Sequence, residues 1–466
     1  MVYAKQIESA GVVGEIDVPS EYYLDKELFY WDKKGRPVKK DDLTLDGMLG
    51  IHRIERRRHS AEGITAKHLA KRAVEKLSIR PNVLIVAHDE LPVPLPAVAG
   101  IAQYVKGYNN AAFCDIITNE DLPGAVIAQA LVDSGKYDKV VYASSCEVSK
   151  MRTEEEFSND KFMQASLLFE RGKKPMSINQ NSPKSIDFVI VDHKQLFESK
   201  SDFVKSELDL AGVKTLDVIA GCPGYVVAVV IADALIKTKK FEIITCTGAE
   251  VLEKMADPRH LDHTLYGSAA GATTYQASSE PGIICSHLKG FGNLWDYLRW
   301  GEGIPLENGA PTGPYMIMKG HQLYRFVKRE LPNTLNELFE KCKVSVPDLT
   351  KDKSMLLLHQ MNGKLIEHAL CSFLEIGVKV KDLQVGIIPE RLKEFIDNQV
   401  PMSVQIYGNS SSATIPVTED HARRNIVRSR FSDKSFEDKL KLGSGTIVLK
   451  ESAGAGFIVG GYAERL

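Results

Sequence analysis

The stretch TLDVIAGCPGYVVAVVIADALI, residues 215–236, carries the strongest fold signal in the chain. Its first residues form a short apolar run that is typical of a buried strand. The residues after Pro223 are apolar on nearly every side, as expected of a buried helix. Cys222 lies directly before Pro223, and proline is favoured at the first position of a helix. The segment therefore predicts a strand, a tight turn that bears a thiol, and a buried helix.

Cys222 is the first candidate for chemistry. A thiol at the start of a helix feels the positive end of the helix dipole, which lowers its pKa and favours the nucleophilic thiolate. Cysteine is also among the most buried residue types and often only fills apolar space, so position alone leaves both interpretations open. The remaining cysteines lack this strand-end context and are interpreted as packing residues: Cys114, Cys146, Cys246, Cys285, Cys342 and Cys371.

Strand and helix signals alternate along the chain, which indicates an α/β fold. Strands are predicted at residues 83–87, 114–118, 139–143, 186–191, 215–220, 242–247, 355–358, 403–406 and 446–449. Helices are predicted at residues 64–77, 124–132, 162–170, 201–210, 223–236 and 363–376, and another begins at residue 411.

Two rounds of this pattern resemble each other in sequence. VLIVAHD (83–89) matches FVIVDHK (188–194), and FCDIITNEDLPGAVIA (113–128) matches TLDVIAGCPGYVVA (215–228) with a gap. Strand–helix units also resemble one another by chance, so internal duplication and coincidence both remain open.

Composition narrows the function classes. The chain has 466 residues, with 59 Lys or Arg against 61 Asp or Glu, which disfavours a nucleic-acid-binding protein. At about 150 residues per domain, this length predicts two or three domains. No apolar run reaches the ~18 residues of a membrane span, and no secretory signal pattern is present. The cysteines form no CxxC pair, which disfavours a zinc site or a disulfide scaffold. We therefore expect a cytoplasmic protein without a membrane span.

Two further reactive side chains are predicted at strand ends. His359 follows the apolar run MLLL, and Asn409 follows QIYG just before another helix start. The carboxyl ends of strands are where α/β sheets gather their ligand sites. A single histidine at such a position means little, but Cys222, His359 and Asn409 at three comparable turns suggest a common site.

These segments resemble the ketoacyl synthase III branch of the thiolase superfamily. Residues 215–224 are similar to the family's nucleophile segment, and HQMN (359–362) to its His-Gln-Ala-Asn motif. YGNSSSATIP (407–416) is similar to its Gly-Asn-Thr-Ser-Ala-Ala-x-Pro motif, and ESAGAGFIVGG (451–461) to its C-terminal glycine-rich turn. The motifs occur in the family's order.

The resemblance implies a five-layered αβαβα thiolase fold with two pseudo-repeated halves. Residues 1–82 and 185–345 would form the N-terminal half with the nucleophile, and residues 346–466 the C-terminal half with His359 and Asn409. Residues 83–184 have no counterpart in the simple synthase and are interpreted as an inserted α/β segment. Such enzymes are typically homodimers, so a homodimer is expected by resemblance.

The resemblance also implies a mechanism. Cys222 would attack an acyl thioester, and backbone N–H groups of Cys222 and Ala455 would form the oxyanion hole. His359 and Asn409 would stabilise the enolate of a malonyl-type donor as carbon dioxide leaves. The residues expected to contact substrate are Phe197, Asn362, Gly454 and Gly456. No cofactor and no metal are expected.

Several departures from the family pattern leave the acyl carrier open. Ser268 replaces a structural Asp, Lys364 replaces an Arg, and Leu43 lies where the family stacks a coenzyme A adenine on a Trp. Coenzyme A and an acyl carrier protein both remain candidate carriers. An acidic carrier protein would suit a basic rim, for which Lys364, Arg259 and residues 53–58 are candidates.

Three functions remain open at this point. The first is decarboxylative condensation in fatty acid, polyketide or secondary-metabolite synthesis. The second is acyl transfer to an oxygen or nitrogen nucleophile, or condensation without decarboxylation. The third is a non-catalytic subunit of a synthase pair, whose expected mark would be the loss of Cys222, His359 or Asn409. The presence of both His359 and Asn409 favours the first, because that pair serves enolate formation.

Overall fold

The computed structural model describes most of the chain. The described residues are 2–32, 36–90, 99, 103, 106, 108, 110–119, 122–144, 166–178, 185–193, 199–343, 354–377, 383, 386–454 and 457–466. Three residues that the sequence analysis assigned to the site, Phe197, Ala455 and Gly456, lie outside these ranges.

The secondary structure alternates as the sequence predicts. The described strands are β1 (Tyr3–Val13), β2 (Ile16–Pro19), β3 (Phe29–Trp31), β4 (Pro37–Lys39), β5 (Arg56–His59), β6 (Val83–Ala87), β7 (Ala112–Thr118), β8 (Lys139–Ala143), β9 (Ser166–Glu170), β10 (Met176–Ser177), β11 (Phe188–Asp192), β12 (Lys214–Ile219), β13 (Ile243–Val251), β14 (Ser268–Ser278), β15 (Ile283–Gly290), β16 (Leu298–Gly301), β17 (Tyr315–Met318), β18 (Ser354–Leu358), β19 (Ile447–Ala453) and β20 (Ile458–Arg465).

The α-helices in the same ranges are α1 (Leu45–His52), α2 (Ala66–Val74), α3 (Gly124–Asp133), α4 (Lys200–Glu207), α5 (Gly224–Lys237), α6 (Leu252–Met255), α7 (Gly320–Cys342), α8 (Gly363–Phe373), α9 (Glu390–Gln399), α10 (Val404–Tyr407), α11 (Thr414–Arg423) and α12 (Glu437–Leu440). Short 3-10 helices occupy Ser20–Tyr23, Leu261–Leu265, Gly292–Tyr297 and Ser411–Ala413. None of the helices in the described ranges has the length and hydrophobicity needed to cross a membrane.

Two sheets organise the chain. The large sheet has ten strands in the order β1-β14-β13-β6-β12-β7-β11-β8-β9-β10, and the small one has four in the order β15-β20-β19-β18. Helices α2 and α4 cover one face of the large sheet, and α5 and α11 lie between the two sheets. Helix α7 covers the far face of the small sheet, with α8 packed beside it. This is the five-layered αβαβα arrangement, so the fold prediction is confirmed.

The strand–turn–helix predicted at residues 215–236 forms as β12 and α5. All residues of α5 from Gly224 to Ile236 are buried, which explains a helix without a polar face. Strand β12 is buried because it is internal to the large sheet, between β6 and β7. Together β12 and α5 hold the Cys222 turn between the two sheets.

Two secondary-structure predictions are wrong. Residues 166–170, placed in a helix from residues 162–170, form strand β9, which pairs antiparallel with β8 and buries Leu168 and Phe169. Residues 403–406, predicted as a strand, enter the short helix α10. The Gln360 side-chain oxygen accepts the N–H groups of Ser403 and Val404 at 2.9 and 3.2 Å, which fixes the start of that helical turn.

Strand β6 belongs to the sheet of the nucleophile half, although the sequence analysis placed it at the start of the inserted segment. It pairs in parallel with both β12 and β13, and its residues are fully buried.

Cys285 of β15 and Cys342 at the end of α7 form a disulfide with Cα atoms 5.5 Å apart. This disulfide corrects the interpretation of both cysteines as packing residues.

Candidate active site

Cys222 occupies the turn between β12 and α5 and is half-buried. The chain turns at Gly221, whose φ of 66° lies in the region that favours glycine. The Gly221 N–H donates to Asp89 Oδ1 at 3.0 Å, and the Gly224 N–H donates back to the Gly221 carbonyl at 2.8 Å. Pro223 forms the N-cap of α5. The nucleophile candidate is therefore held at a fixed turn, at the start of a fully buried helix.

His359 follows β18 and is buried. Its backbone N–H donates to the Glu451 carbonyl at 2.9 Å, which ties the turn to β19. Its side-chain Nδ1 lies 2.7 Å from Thr414 Oγ1, at the start of α11. No hydrogen-bond partner for Nε2 occurs among the described residues. Burial lowers the pKa of His359 to about 3, so the ring is neutral at physiological pH.

Asn409 follows α10 rather than a strand. Its backbone is tied to the segment before β14, because its N–H donates to the Leu265 carbonyl and its carbonyl accepts from Gly267 N–H, both at 2.8 Å. Its side-chain oxygen accepts the Ser411 N–H at 2.8 Å, which leaves the amide NH₂ as the donor end. Gly408 precedes it with a φ of 74°, and an added Cβ there would lie 2.9 Å from Arg57 Cβ.

One pocket of about 490 Å³ brings these three side chains together. This volume is within the usual range for small-molecule sites. The exposed residues Ile51 and His321 lie at the open end, whereas His359 and Asn409 are buried. The walls are mainly apolar and come from β16, β17 and α7: Leu298, Met316, Met318, Leu323, Tyr324 and Val327. The pocket thus combines mainly apolar walls with three reactive side chains.

Gly454 and Asn362 also line this pocket. The backbone of Gly454 runs so close to the nucleophile that an added Cβ would lie 2.9 Å from both Cβ and Sγ of Cys222. Asn362 is the N-cap of α8, because its side-chain oxygen accepts the Leu365 N–H at 3.1 Å. That bond gives Asn362 a structural role at the edge of the site.

Asp89 is a pocket residue that sequence reasoning missed. It follows β6, is buried, and accepts hydrogen bonds from Gly221 N–H at 3.0 Å and Ser411 Oγ at 3.4 Å. Its backbone N–H also donates to Glu250 Oε2 of β13 at 3.2 Å, and Glu250 Oε1 accepts from Ser412 Oγ at 2.7 Å. Burial raises the pKa of Asp89, and burial together with the Asp89 carboxylate raises the pKa of Glu250. Because both carboxyl groups are buried close to each other, ionisation of both at once is disfavoured beside the nucleophile turn.

The proposed basic rim is only partly present. Lys364 lines the pocket and donates to the Gly50 carbonyl at 2.9 Å, and Lys328 of α7 also lines it. Arg57 is buried over the Tyr23 ring. Arg259 bonds to the Asp257 carboxylate and to the carbonyls of residues 304 and 305. Among the described residues, the lysines that line the pocket are therefore Lys364 and Lys328, and Lys328 was not singled out from sequence.

Ser268, noted as a departure from the family motif, has a clear structural partner. Its hydroxyl donates to Glu253 at 2.6 Å, and the same carboxylate accepts both the N–H and the hydroxyl of Ser60. This network ties the start of β14 to the segment after β5.

Among the described residues, no group of three or more His, Cys, Asp or Glu side chains is arranged to hold a metal ion.

Comparison with known proteins gives a consistent result. The family model of 3-oxoacyl-[acyl-carrier-protein (ACP)] synthase III matches residues 216–292. The beta-ketoacyl-[acyl-carrier-protein] synthase III of Pseudoalteromonas atlantica is 28% identical over 267 residues, which cover 56% of this chain and 76% of that protein.

Solved structures extend the likeness to the whole fold. The 3-oxoacyl-[acyl-carrier-protein] synthase III of Aquifex aeolicus superposes with a TM-score of 0.58 at 18% identity, covering 99% of this chain and 100% of that one. The priming beta-ketosynthase of the R1128 polyketide pathway gives a TM-score of 0.58 at 15% identity, covering 100% and 96%. At these identities the structures show a shared fold.

The family-model match, the relatives and the shared fold support a condensing enzyme similar to those of the thiolase superfamily. Within that class, the chain is similar to the acyl-transferring ketoacyl synthase III enzymes.

Proposed function

We propose that this chain forms an acyl thioester on Cys222 and condenses it with a malonyl-type thioester by decarboxylation. The observation that carries the proposal is the convergence of Cys222, His359 and Asn409 on one pocket with apolar walls. The acyl groups arrive as thioesters of coenzyme A or of an acyl carrier protein, and no cofactor takes part. A cytoplasmic location and the boundary between the N-terminal and C-terminal halves at residue 345 stay predictions.

The first half-reaction loads the enzyme. The Cys222 thiolate attacks the carbonyl carbon of the acyl thioester, and the bond to the leaving thiolate breaks. Backbone N–H groups of Cys222 and Ala455 are the proposed donors to the oxyanion. Gly454 supports this geometry, because the missing side chain leaves room against Sγ for the reacting carbonyl. Phe197 and Gly456 complete the proposed substrate contacts.

The second half-reaction makes the carbon–carbon bond. The bond between the malonyl carboxylate and its α-carbon breaks, carbon dioxide leaves, and the electron pair forms an enolate. His359 Nε2 and the Asn409 NH₂ are the proposed hydrogen-bonding groups at the thioester oxygen, where the negative charge develops. The enolate carbon then attacks the acyl-Cys222 carbonyl and expels the thiolate. The lowered pKa of His359 supports a neutral ring in this role.

A second candidate function is condensation without decarboxylation. That reaction needs a base to remove a proton from the α-carbon, and Asp89 is a carboxyl group in the pocket. The presence of Cys222, His359 and Asn409 in one pocket disfavours a non-catalytic subunit.

The test is carbon dioxide release from a malonyl thioester by the Asn409→Ala variant. We expect acylation of Cys222 to persist, while carbon dioxide release falls by roughly 100-fold, the effect of losing one oxyanion-type donor. The matched control is Asn398→Ala, at a half-buried side chain outside the pocket whose NH₂ donates to the Glu394 carbonyl. Carbon dioxide release at the wild-type rate in Asn409→Ala would refute the decarboxylative mechanism. Product formed with no carbon dioxide would favour the second candidate.

A further inference from the structure

The ten strands of the large sheet fall into two sets of five that mirror each other. The sets are β12-β6-β13-β14-β1 and β7-β11-β8-β9-β10, and they meet where β12 pairs antiparallel with β7. From that contact outward, the successive pairings in both sets are parallel, parallel, antiparallel and antiparallel. Each strand of the nucleophile half thus has a counterpart at the same place in the second set.

The register at the contact is symmetric. Val218 of β12 pairs with Ile116 of β7, and on either side Asp217 pairs with Ile117 and Ile219 with Asp115. The sequences DVI (217–219) and DII (115–117) align residue for residue, so the Val218–Ile116 pair joins two equivalent positions. This is the relation of a two-fold, isologous interface, in which residue i meets j and j meets i. The equivalent residues Ile117 and Ile219 also pack together in one buried cluster.

Side chains repeat the symmetry. His88 follows β6 and its Nε2 lies 3.3 Å from Asp217 Oδ2, while His193 follows β11 and its Nε2 lies 3.1 Å from Asp115 Oδ2. The backbone N–H of His88 donates to the Val218 carbonyl of the adjacent strand β12 at 3.1 Å. The backbone N–H of His193 donates to the Ile116 carbonyl of the adjacent strand β7 at 2.9 Å. All four Asp and His side chains are buried.

The aspartates also bind backbone at comparable places. Asp217 accepts the N–H groups of Lys200 and Ser201 at the start of α4, at 2.6 and 2.9 Å. Asp115 accepts the Ala99 N–H at 2.8 Å. An Asp–His pair that also accepts from backbone N–H therefore occurs twice, once in each set of strands.

The two sets are interlocked by the path of the chain. Strand β6 lies beside β12, but the next described strand in the chain is β7 of the other set. Strand β11 lies beside β7, and the chain then passes through α4 to β12. Both connections cross the contact between the sets, so the second set cannot leave as a separate rigid domain without breaking the sheet.

The second set has lost the nucleophile. Where the first has Cys222 between Gly221 and Pro223, the second has NEDLP at residues 119–123, without a cysteine. The outer end of the second set is β10, an exposed strand of only two residues, Met176 and Ser177. Such a short edge is a poor template for pairing with another chain.

We infer that residues 112–192 are a degenerate second copy of the nucleophile unit, built into the chain as its own partner, so that the working unit is one chain. The symmetric edge of β12, where a second molecule could pair, is filled by β7 of the same molecule. The homodimer implied by family resemblance is then not required to complete the sheet. This inference concerns the sheet alone and stands or falls independently of the acylation chemistry.

The primary test is the mass of the 466-residue chain in solution, measured by light scattering after size-exclusion chromatography. The expected result is 51.6 kDa across a hundredfold range of protein concentration. A stable species of twice that mass would overturn the inference. This measurement needs no variant, so it does not depend on whether a substituted chain folds.

A cross-link tests the strand pairing itself. Leu216 and Thr118 are directly paired across the contact, so the double variant Leu216→Cys, Thr118→Cys should form a disulfide on mild oxidation. Peptide mapping should find that cross-link in chains that keep the monomer mass, and neither single variant should show it. A cross-link that joins two chains, or its absence in a variant with wild-type circular dichroism, would overturn the inference.

Discussion

Gly454 offers a sensitive probe of the nucleophile's surroundings. In Gly454→Ala the new Cβ would lie 2.9 Å from Cys222 Sγ, so the two atoms must separate by about half an ångström to reach ordinary contact at 3.4 Å. Misplacing a reacting atom by about 1 Å costs on the order of 100-fold in rate. A shift of half that size therefore predicts a loss of roughly tenfold, or about 1.4 kcal/mol of transition-state stabilisation.

The same variant should lose some stability but remain folded. Gly454 does not have a φ in the left-handed region, so alanine fits its backbone conformation. Alanine reduces the entropy of the unfolded chain, which stabilises by about 0.4–1 kcal/mol, while overpacking costs about 1–3 kcal/mol. The net destabilisation should stay below about 2.6 kcal/mol.

The assay is the rate of acyl-enzyme formation, followed by intact mass after mixing with an acyl thioester. The matched control is Gly377→Ala, where an added Cβ meets no atom of the described residues within 4 Å. The control should acylate at the wild-type rate and Gly454→Ala roughly tenfold more slowly. Equal rates in folded wild type and Gly454→Ala would refute the placement of Gly454 against Cys222.

Two further perturbations address the surrounding hydrogen bonds. Thr414→Val removes the hydroxyl 2.7 Å from His359 Nδ1, so carbon dioxide release should fall by roughly 10-fold while acylation persists. The control is Thr418→Val, one turn later on α11. If both variants reduce carbon dioxide release equally, Thr414 does not position His359. Glu250 has a raised pKa, so its protonated form stabilises the fold below the ordinary carboxyl pKa of 4.5, and that stability is lost as pH rises toward the raised value. Glu250→Gln should therefore flatten the fall in unfolding free energy above pH 5, measured by urea titration, and an unchanged slope would contradict a proton held at this pair.

Local pattern was enough to predict the elements that carry the motif residues. Strand β12, α5 and the turn at Cys222 could be predicted because a fully apolar helix after a strand-ending cysteine has few alternative structures. Strand β9 could not, since Leu168 and Phe169 suit a helix or a strand until β8 pairs with them. Helix α10 was missed because its turn is fixed by Gln360, which is distant in sequence.

Contacts between residues that are distant in sequence explain why Asp89 and the placement of β6 were not predicted. Asp89 has no motif of its own, and its significance comes from Glu250, which lies 161 residues later in the chain. The order of segments suggested an insertion beginning at residue 83, because sequence order does not reveal that β6 lies beside β12 while the chain continues to β7. The sequence similarity between the two rounds pointed toward this duplication, but only the strand register distinguishes it from chance.

The most direct test of the central claim is the site of the acyl adduct. The 466-residue chain is incubated with an acyl thioester, and the adduct is located by peptide mass spectrometry, with Cys246→Ala as a control at a buried thiol. The account predicts one acyl group on Cys222, retained in Cys246→Ala and absent in Cys222→Ala. An adduct that persists unchanged in Cys222→Ala would contradict it.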